Sequence, residues 1–90
     1  MRIKGRVQGV FYRQWTMDTA RELGLDGWVR NCADGSVEAL FCGRPNDVQS
    51  MIHRCRTGPS SSRVSDVESK PIELLEFDDI PKGFHIKPSI

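Results

Sequence analysis

The apolar residues of this chain change period repeatedly, and the order of those changes leaves few folds open to it. Met1 to Lys4 is a short extended lead-in to a loop bracketed by Gly5 and Gly9. From Phe11 to Leu23, the residues Phe11, Trp15, Thr16, Thr19, Ala20 and Leu23 recur at helical spacing, and Gly24 supplies a left-handed stop. Leu25 to Cys32 alternates instead, with Gly27, Val29 and Asn31 on one side and Trp28, Arg30 and Cys32 on the other. Asp34-Gly35 is a hairpin signal, and Val37 to Cys42 is the returning strand. Pro45 fits the first turn of a second helix, whose Val48, Met51, Ile52 and Cys55 make one apolar face. The tract Thr57-Gly58-Pro59-Ser60-Ser61-Ser62 cannot continue that helix and reads as a mobile loop. Arg63 to Ser69 predicts a fourth strand, a long connection runs through Pro71 and Pro81, and Phe84 to Lys87 closes the chain as a short strand.

Strand, helix, strand, strand, helix, strand, with a further strand at the end or a variation of the last connection, is the order of an α+β fold. It predicts a ferredoxin-like split βαβ sandwich, an antiparallel sheet with two helices on one face. Ninety residues supply a single domain spanning 1–90, with one core of two packed layers. The first strand has barely four residues before the loop, against the usual five or six or so, so that edge of the sheet is expected to be trimmed.

Charge and composition narrow the function. Thirteen basic and 12 acidic residues leave a formal net charge of +1, which gives no broad field for nucleic acid. No apolar run approaches the roughly 18 residues of a membrane span, and Met1-Arg2-Ile3-Lys4 is not a secretory signal. Three cysteines, an odd number, fit a reducing cytoplasm. Cys32, Cys42, Cys55 and His53 do not reproduce a zinc-site spacing, so no metal is expected. No long apolar face is left over, which points to a monomer.

Gly5-Arg6-Val7-Gln8-Gly9-Val10-Phe11-Tyr12-Arg13 carries the chemistry. A glycine loop entering a helix N-terminus offers unpaired N–H groups at the positive end of the helix dipole. Arg13 adds a guanidinium suited to phosphate oxygens. A tight strand-to-helix turn with a surface arginine uses the same residues. The loop is no nucleotide-binding fingerprint: Val10 and Phe11 stand where a Walker loop needs Lys and Ser/Thr, and the glycines lack dinucleotide spacing. Asn31, at the end of the second strand, has an amide able to hold a water, and it is equally suited to start the turn.

Read together, these segments resemble a known family. The nonapeptide, then Leu23-Gly24-Leu25-Asp26-Gly27-Trp28-Val29-Arg30-Asn31 and Asp34-Gly35-Ser36-Val37-Glu38, with Gly58-Pro59 before Arg63-Val64, look like an acylphosphatase. The resemblance implies the ferredoxin-like fold and cofactor-free hydrolysis of the carboxyl–phosphate bond of small acyl phosphates. It implies phosphate binding by Gly5, Arg6, Val7, Gln8, Gly9, Val10 and Arg13, with Arg13 and Asn31 catalytic. The abrupt first strand, Cys32 after the asparagine, and the ending Lys87-Pro88-Ser89-Ile90 in place of an aromatic residue depart from the family pattern.

Other residues are weaker candidates. His53 and His85 lie away from the loop in sequence, and Asp78-Asp79 sits in a polar connection. Arg6 and Arg30 would add positive potential, while Trp15 and Trp28 read as core or sheet-face residues. Two rival classes remain: a phosphate- or carbamoyl-phosphate-binding module acting in trans with a larger enzyme, and an RNA-binding domain. The second lacks the strand aromatics that base stacking requires, beyond Trp28 and Phe41.

Overall fold

The hairpin announced by Asp34-Gly35 forms the centre of the sheet. In the computed structural model, which describes residues 1–69 and 80–90, β2 (Asp26–Asn31) and β3 (Val37–Cys42) pair antiparallel from Asp26 opposite Cys42 to Asn31 opposite Val37. β1 (Arg2–Arg6) lies beside β3, and β4 (Arg63–Glu68) beside β1, both antiparallel. β5 (Phe84–Ile86) runs parallel to β2, giving the order β4-β1-β3-β2-β5. The ferredoxin-like arrangement therefore stands, and the added closing strand makes the sheet mixed. Pro71 and Asp78-Asp79 lie outside the described residues.

β1 is not an edge strand, contrary to the expectation from its shortness. It sits between β4 and β3, paired over its length with β4 but with β3 only at Arg2–Glu38 and Ile3–Val37. The trimming shows in that short β1–β3 ladder, because the chain must leave the sheet to form the loop.

Two helices supply the second layer: α1 (Tyr12–Glu22) packs on β2 and β5, and α2 (Pro45–Cys55) touches α1. Alternation along the strands sends Ile3, Val29, Val37, Ala39 and Phe84 into the core. From the helices come Tyr12, Ala20, Met51 and Cys55, with Val48 packed against them. α1 starts one residue later than its spacing predicted. Phe11 is not on the buried face: it is the N-cap, left-handed at φ 61°, and 82% exposed. Tyr12 takes the buried place, and Thr16, Thr19 and Ala20 follow it inward. A left-handed residue turns the chain before the helix begins, so the helical phase counts from Tyr12.

Candidate active site

The connection between β1 and α1 is anchored at both ends and open in the middle. Val7 and Val10 are buried, at 1% and 8% exposure, while Gly9 between them is exposed. Gly9 stands at φ 72°, where a side chain would be strained. Gly5 belongs to β1 rather than to the loop. It stands at φ 125° beside a register shift in the ladder to β4, and an added Cβ would collide with the Arg63 carbonyl and come within 2.7 Å of the Ser65 nitrogen. Its glycine character thus serves the close approach of two strands. Arg6 ends β1 opposite Arg63, exposed.

Three contacts from distant parts of the chain fix the loop. The Gln8 amide nitrogen donates to the carbonyls of Cys32, at 2.8 Å, and Ser36, at 2.9 Å, stapling the loop to the β2–β3 turn. The Ser61 hydroxyl donates to the Val10 carbonyl at 3.1 Å. The buried Tyr12 hydroxyl donates to the Cys55 carbonyl at 2.7 Å, tying the start of α1 to the end of α2. The Thr57–Ser62 tract, read from sequence as a mobile loop, is thus folded back onto the site, with Ser62 N–H to the Pro59 carbonyl at 2.9 Å holding its own turn. Ser61 and Tyr12 were not singled out as site residues by the sequence.

Arg13 lies in the first turn of α1, half-buried, and its guanidinium makes no hydrogen bond or ion pair with any described residue. With Val7, Gly9, Phe11, Tyr12, Gln14 and Ile86 it lines an open cleft of about 360 Å³. The N-terminus of α1 carries no side-chain cap and no acidic residue in its first turn. Its N–H groups and dipole therefore act at the same end of the helix as the guanidinium. That is the electrostatic frame of an anion site.

Asn31 does not line this cleft; it ends β2 on the core side, one residue before the Cys32 carbonyl that holds Gln8. Its Oδ1 is buried and has no hydrogen-bond partner. A buried amide oxygen without a partner costs free energy and is expected to meet a water or ligand. The backbone carbonyl of the same residue accepts from Ile90 N–H at 3.1 Å, so the final residues run along β2 to the site.

Among the described residues no side chain around the cleft is a ready proton carrier. Of the described residues lining it, Tyr12 is the one titratable group besides Arg13, and burial pushes its hydroxyl far above the ordinary range, with its proton committed to the Cys55 carbonyl. His53 is exposed on α2, and the His85 ring pairs with the Lys82 carbonyl at 2.8 Å. Arg30 does not lend its charge to the site as expected. It faces the opposite side of β2 from Asn31, 2.6 Å from Glu38 and stacked 4.7 Å from the Trp28 ring centre. Trp15 packs against the core with its ring 5.4 Å from that of Tyr12. Cys32 is buried as a free thiol. Among the described residues no three His, Cys, Asp or Glu side chains cluster as metal ligands would.

Fold and cleft together define a small ferredoxin-like domain with an open, arginine-lined cleft at the β1–α1 connection. Residues 1–86 match the Acylphosphatase family model. An acylphosphatase of Rhodospirillum rubrum is 53% identical over 90 residues, covering 100% of this chain and 94% of that protein. One from Bradyrhizobium diazoefficiens is 60% identical, covering 98% and 91%. The solved acylphosphatase of Coxiella burnetii superposes with a TM-score of 0.87 at 31% identity, over 96% of this chain and 86% of that one. The chain belongs to the acylphosphatase family, whose members hydrolyse small acyl phosphates.

Proposed function

We propose that this chain hydrolyses the carboxyl–phosphate bond of acyl phosphates with Arg13, the Gly5–Val10 segment and Asn31 in distinct roles. The phosphoryl group sits between the loop N–H groups, the uncapped end of α1 and the Arg13 guanidinium. The single observation that carries this is Arg13, without a partner among the described residues and facing an open cleft at an uncapped helix N-terminus. Within the segment, Gly9 supplies the close backbone approach, Gln8 and the buried Val7 and Val10 hold its shape, and Gly5 and Arg6 anchor it to β1.

A hydrolase without a proton carrier is consistent with this substrate. The leaving group is a carboxylate, whose conjugate acid has a pKa of about 4, so it departs as a stable anion without a general acid. Phosphoryl transfer depends on positioning and on neutralising the equatorial oxygens. A water on the Asn31 amide attacks phosphorus; the bond to the bridging oxygen breaks with its electron pair leaving on the carboxylate. The proton of the water passes to a phosphoryl oxygen, giving carboxylate and inorganic phosphate. The buried, unpartnered Oδ1 of Asn31 supports the water-holding role.

Phosphate release from acetyl or benzoyl phosphate, measured in EDTA, tests these roles. Arg13→Gln is expected to lower turnover by about 10²–10³-fold or more, as for loss of an oxyanion-hole donor. Asn31→Ala lowers turnover while inhibition by inorganic phosphate is nearly retained. Phosphate binding lost in Asn31→Ala with turnover intact refutes the division. The alternative, a non-catalytic module acting in trans, is disfavoured because this chain spans nearly the whole length of its catalytic relatives. The loop as a phosphate-binding element, a cytoplasmic location and a monomeric state belong to the same proposal. Among the described residues no helix is long and apolar enough to cross a membrane.

A further inference from the structure

Three large apolar side chains are exposed among the described residues, and two of them, Phe11 and Ile86, line the cleft that holds Arg13. Phe11 is 82% exposed and sits at φ 61°, a conformation strained for a bulky aromatic residue. Neither the exposure nor the strain serves the core, since Tyr12 occupies the buried place. Ile86 comes from β5, fixed opposite Val29 of β2, and is 38% exposed. The two side chains therefore reach the cleft from different elements, one at the end of the loop and one from the sheet.

We propose that Phe11 and Ile86 form the wall that receives the acyl group, and that the chain prefers acyl phosphates with aromatic or bulky apolar acyl groups over acetyl or carbamoyl phosphate. This rests on the phosphoryl site proposed above. One bridging oxygen separates phosphorus from the acyl carbon, so a phosphoryl group on Arg13 brings the acyl group against the rim of the same cleft. Phe11 and Ile86 line the same cleft as Arg13, so the carboxylate leaves past these two side chains. An exposed ring at that exit offers stacking and apolar burial to an aromatic or long acyl chain. It offers little to a methyl or an amide.

The test compares kcat/KM for acetyl, butyryl and benzoyl phosphate on the unsubstituted chain, on Phe11→Asn and on Ile86→Ser. Asn keeps a residue that tolerates the left-handed backbone. The unsubstituted chain should show kcat/KM rising along that series. The benzoyl-to-acetyl ratio should fall about tenfold in Phe11→Asn, the low end for an altered apolar contact since the wall is open, and less in Ile86→Ser. Both substrates keep the same leaving-group chemistry in every variant, so a change in the ratio reports the wall and not intrinsic reactivity. A flat series on the unsubstituted chain, or a ratio within about twofold of its original value in both variants, overturns the proposal. Arg13→Gln in the same assay separates the two readings. If it retains full turnover, the phosphoryl site is misplaced; if it loses turnover while the ratio is unmoved in Phe11→Asn and Ile86→Ser, only the acyl wall is refuted.

Discussion

Gln8 is the residue at which direct binding of phosphate can be told apart from shaping of the proposed phosphate loop. Its amide nitrogen is bonded to two carbonyls, those of Cys32 and Ser36. Gln8→Ala removes both hydrogen bonds, each contributing about 0.5–1.5 kcal/mol net. Neither carbonyl is orphaned, because Gly35 N–H still reaches the Cys32 carbonyl at 3.1 Å and Cys32 N–H the Ser36 carbonyl at 2.9 Å. The loss therefore belongs at the lower part of the summed range, about 1–2 kcal/mol, or a Tm decrease of about 4–8 °C per kcal/mol for a domain of this size. Gln8→Glu should cost more, since a carboxylate facing two carbonyl oxygens has no proton to donate. Urea unfolding gives the stability, and competitive inhibition by inorganic phosphate gives the affinity of the cradle. The staple reading requires both to fall in Gln8→Ala, and further in Gln8→Glu. Unchanged stability with weakened phosphate binding would instead make Gln8 a direct ligand of the anion and refute the staple.

The other contacts lead to further expectations. Tyr12→Phe deletes a buried hydroxyl bonded to the Cys55 carbonyl, so it should cost about 1 kcal/mol or somewhat more in urea unfolding and lower turnover through a looser start of α1; identical stability would show that the bond contributes nothing net. Burial raises the Glu38 carboxyl, but hydrogen bonds from Arg30 and Arg2 outweigh it and hold the group below its usual range, as Ser36 does for Asp34. Groups depressed in the folded state stabilise it above their unfolded pKa, about 4, and that contribution is lost as pH falls through the folded value. The difference in urea midpoint between the unsubstituted chain and Glu38→Gln should therefore be largest near pH 7 and shrink below about pH 4; a constant difference across that range would refute the assignment.

The β2–β3 hairpin and α2 were legible because each is specified locally, by Asp34-Gly35 with alternation and by Pro45 with an apolar face. The start of α1 was displaced by one residue because a left-handed Phe11 has no sequence mark; the apolar spacing counts it as helical until the backbone is seen. Gly5 was read as part of the loop because glycine signals permissive backbone without saying whether a turn or a neighbouring strand requires it. Here β4 requires it, and β4 lies nearly sixty residues on. Ser61 and the side-chain hydrogen bonds of Gln8 were invisible for the same reason: each acts on a carbonyl at a sequence distance that no local pattern encodes. Arg30 was misplaced in effect although its strand was read correctly, since alternation puts it on the face away from Asn31, where Glu38 holds it.

With no proton carrier among the described residues of the cleft, the proposed mechanism puts the whole demand of catalysis on geometry. A site built on an acid or base tolerates some displacement, because a proton can move through water. One built on N–H groups, a guanidinium and an amide does not, because each must meet a defined oxygen of the transition state. That explains why so short a loop is held from three separate parts of the chain, the hairpin, the Thr57–Ser62 turn and the end of α2. Loop stability and turnover should then be coupled more tightly here than in an enzyme with a titrating base. Across Gln8→Ala, Ser61→Ala and Tyr12→Phe, log kcat/KM is expected to fall in step with the loss of unfolding free energy, while Glu38→Gln on the far face loses stability with turnover unaffected at pH 7. A common line through all four variants would refute that coupling, because it would mean that global unfolding alone, and not the loop, sets the rate.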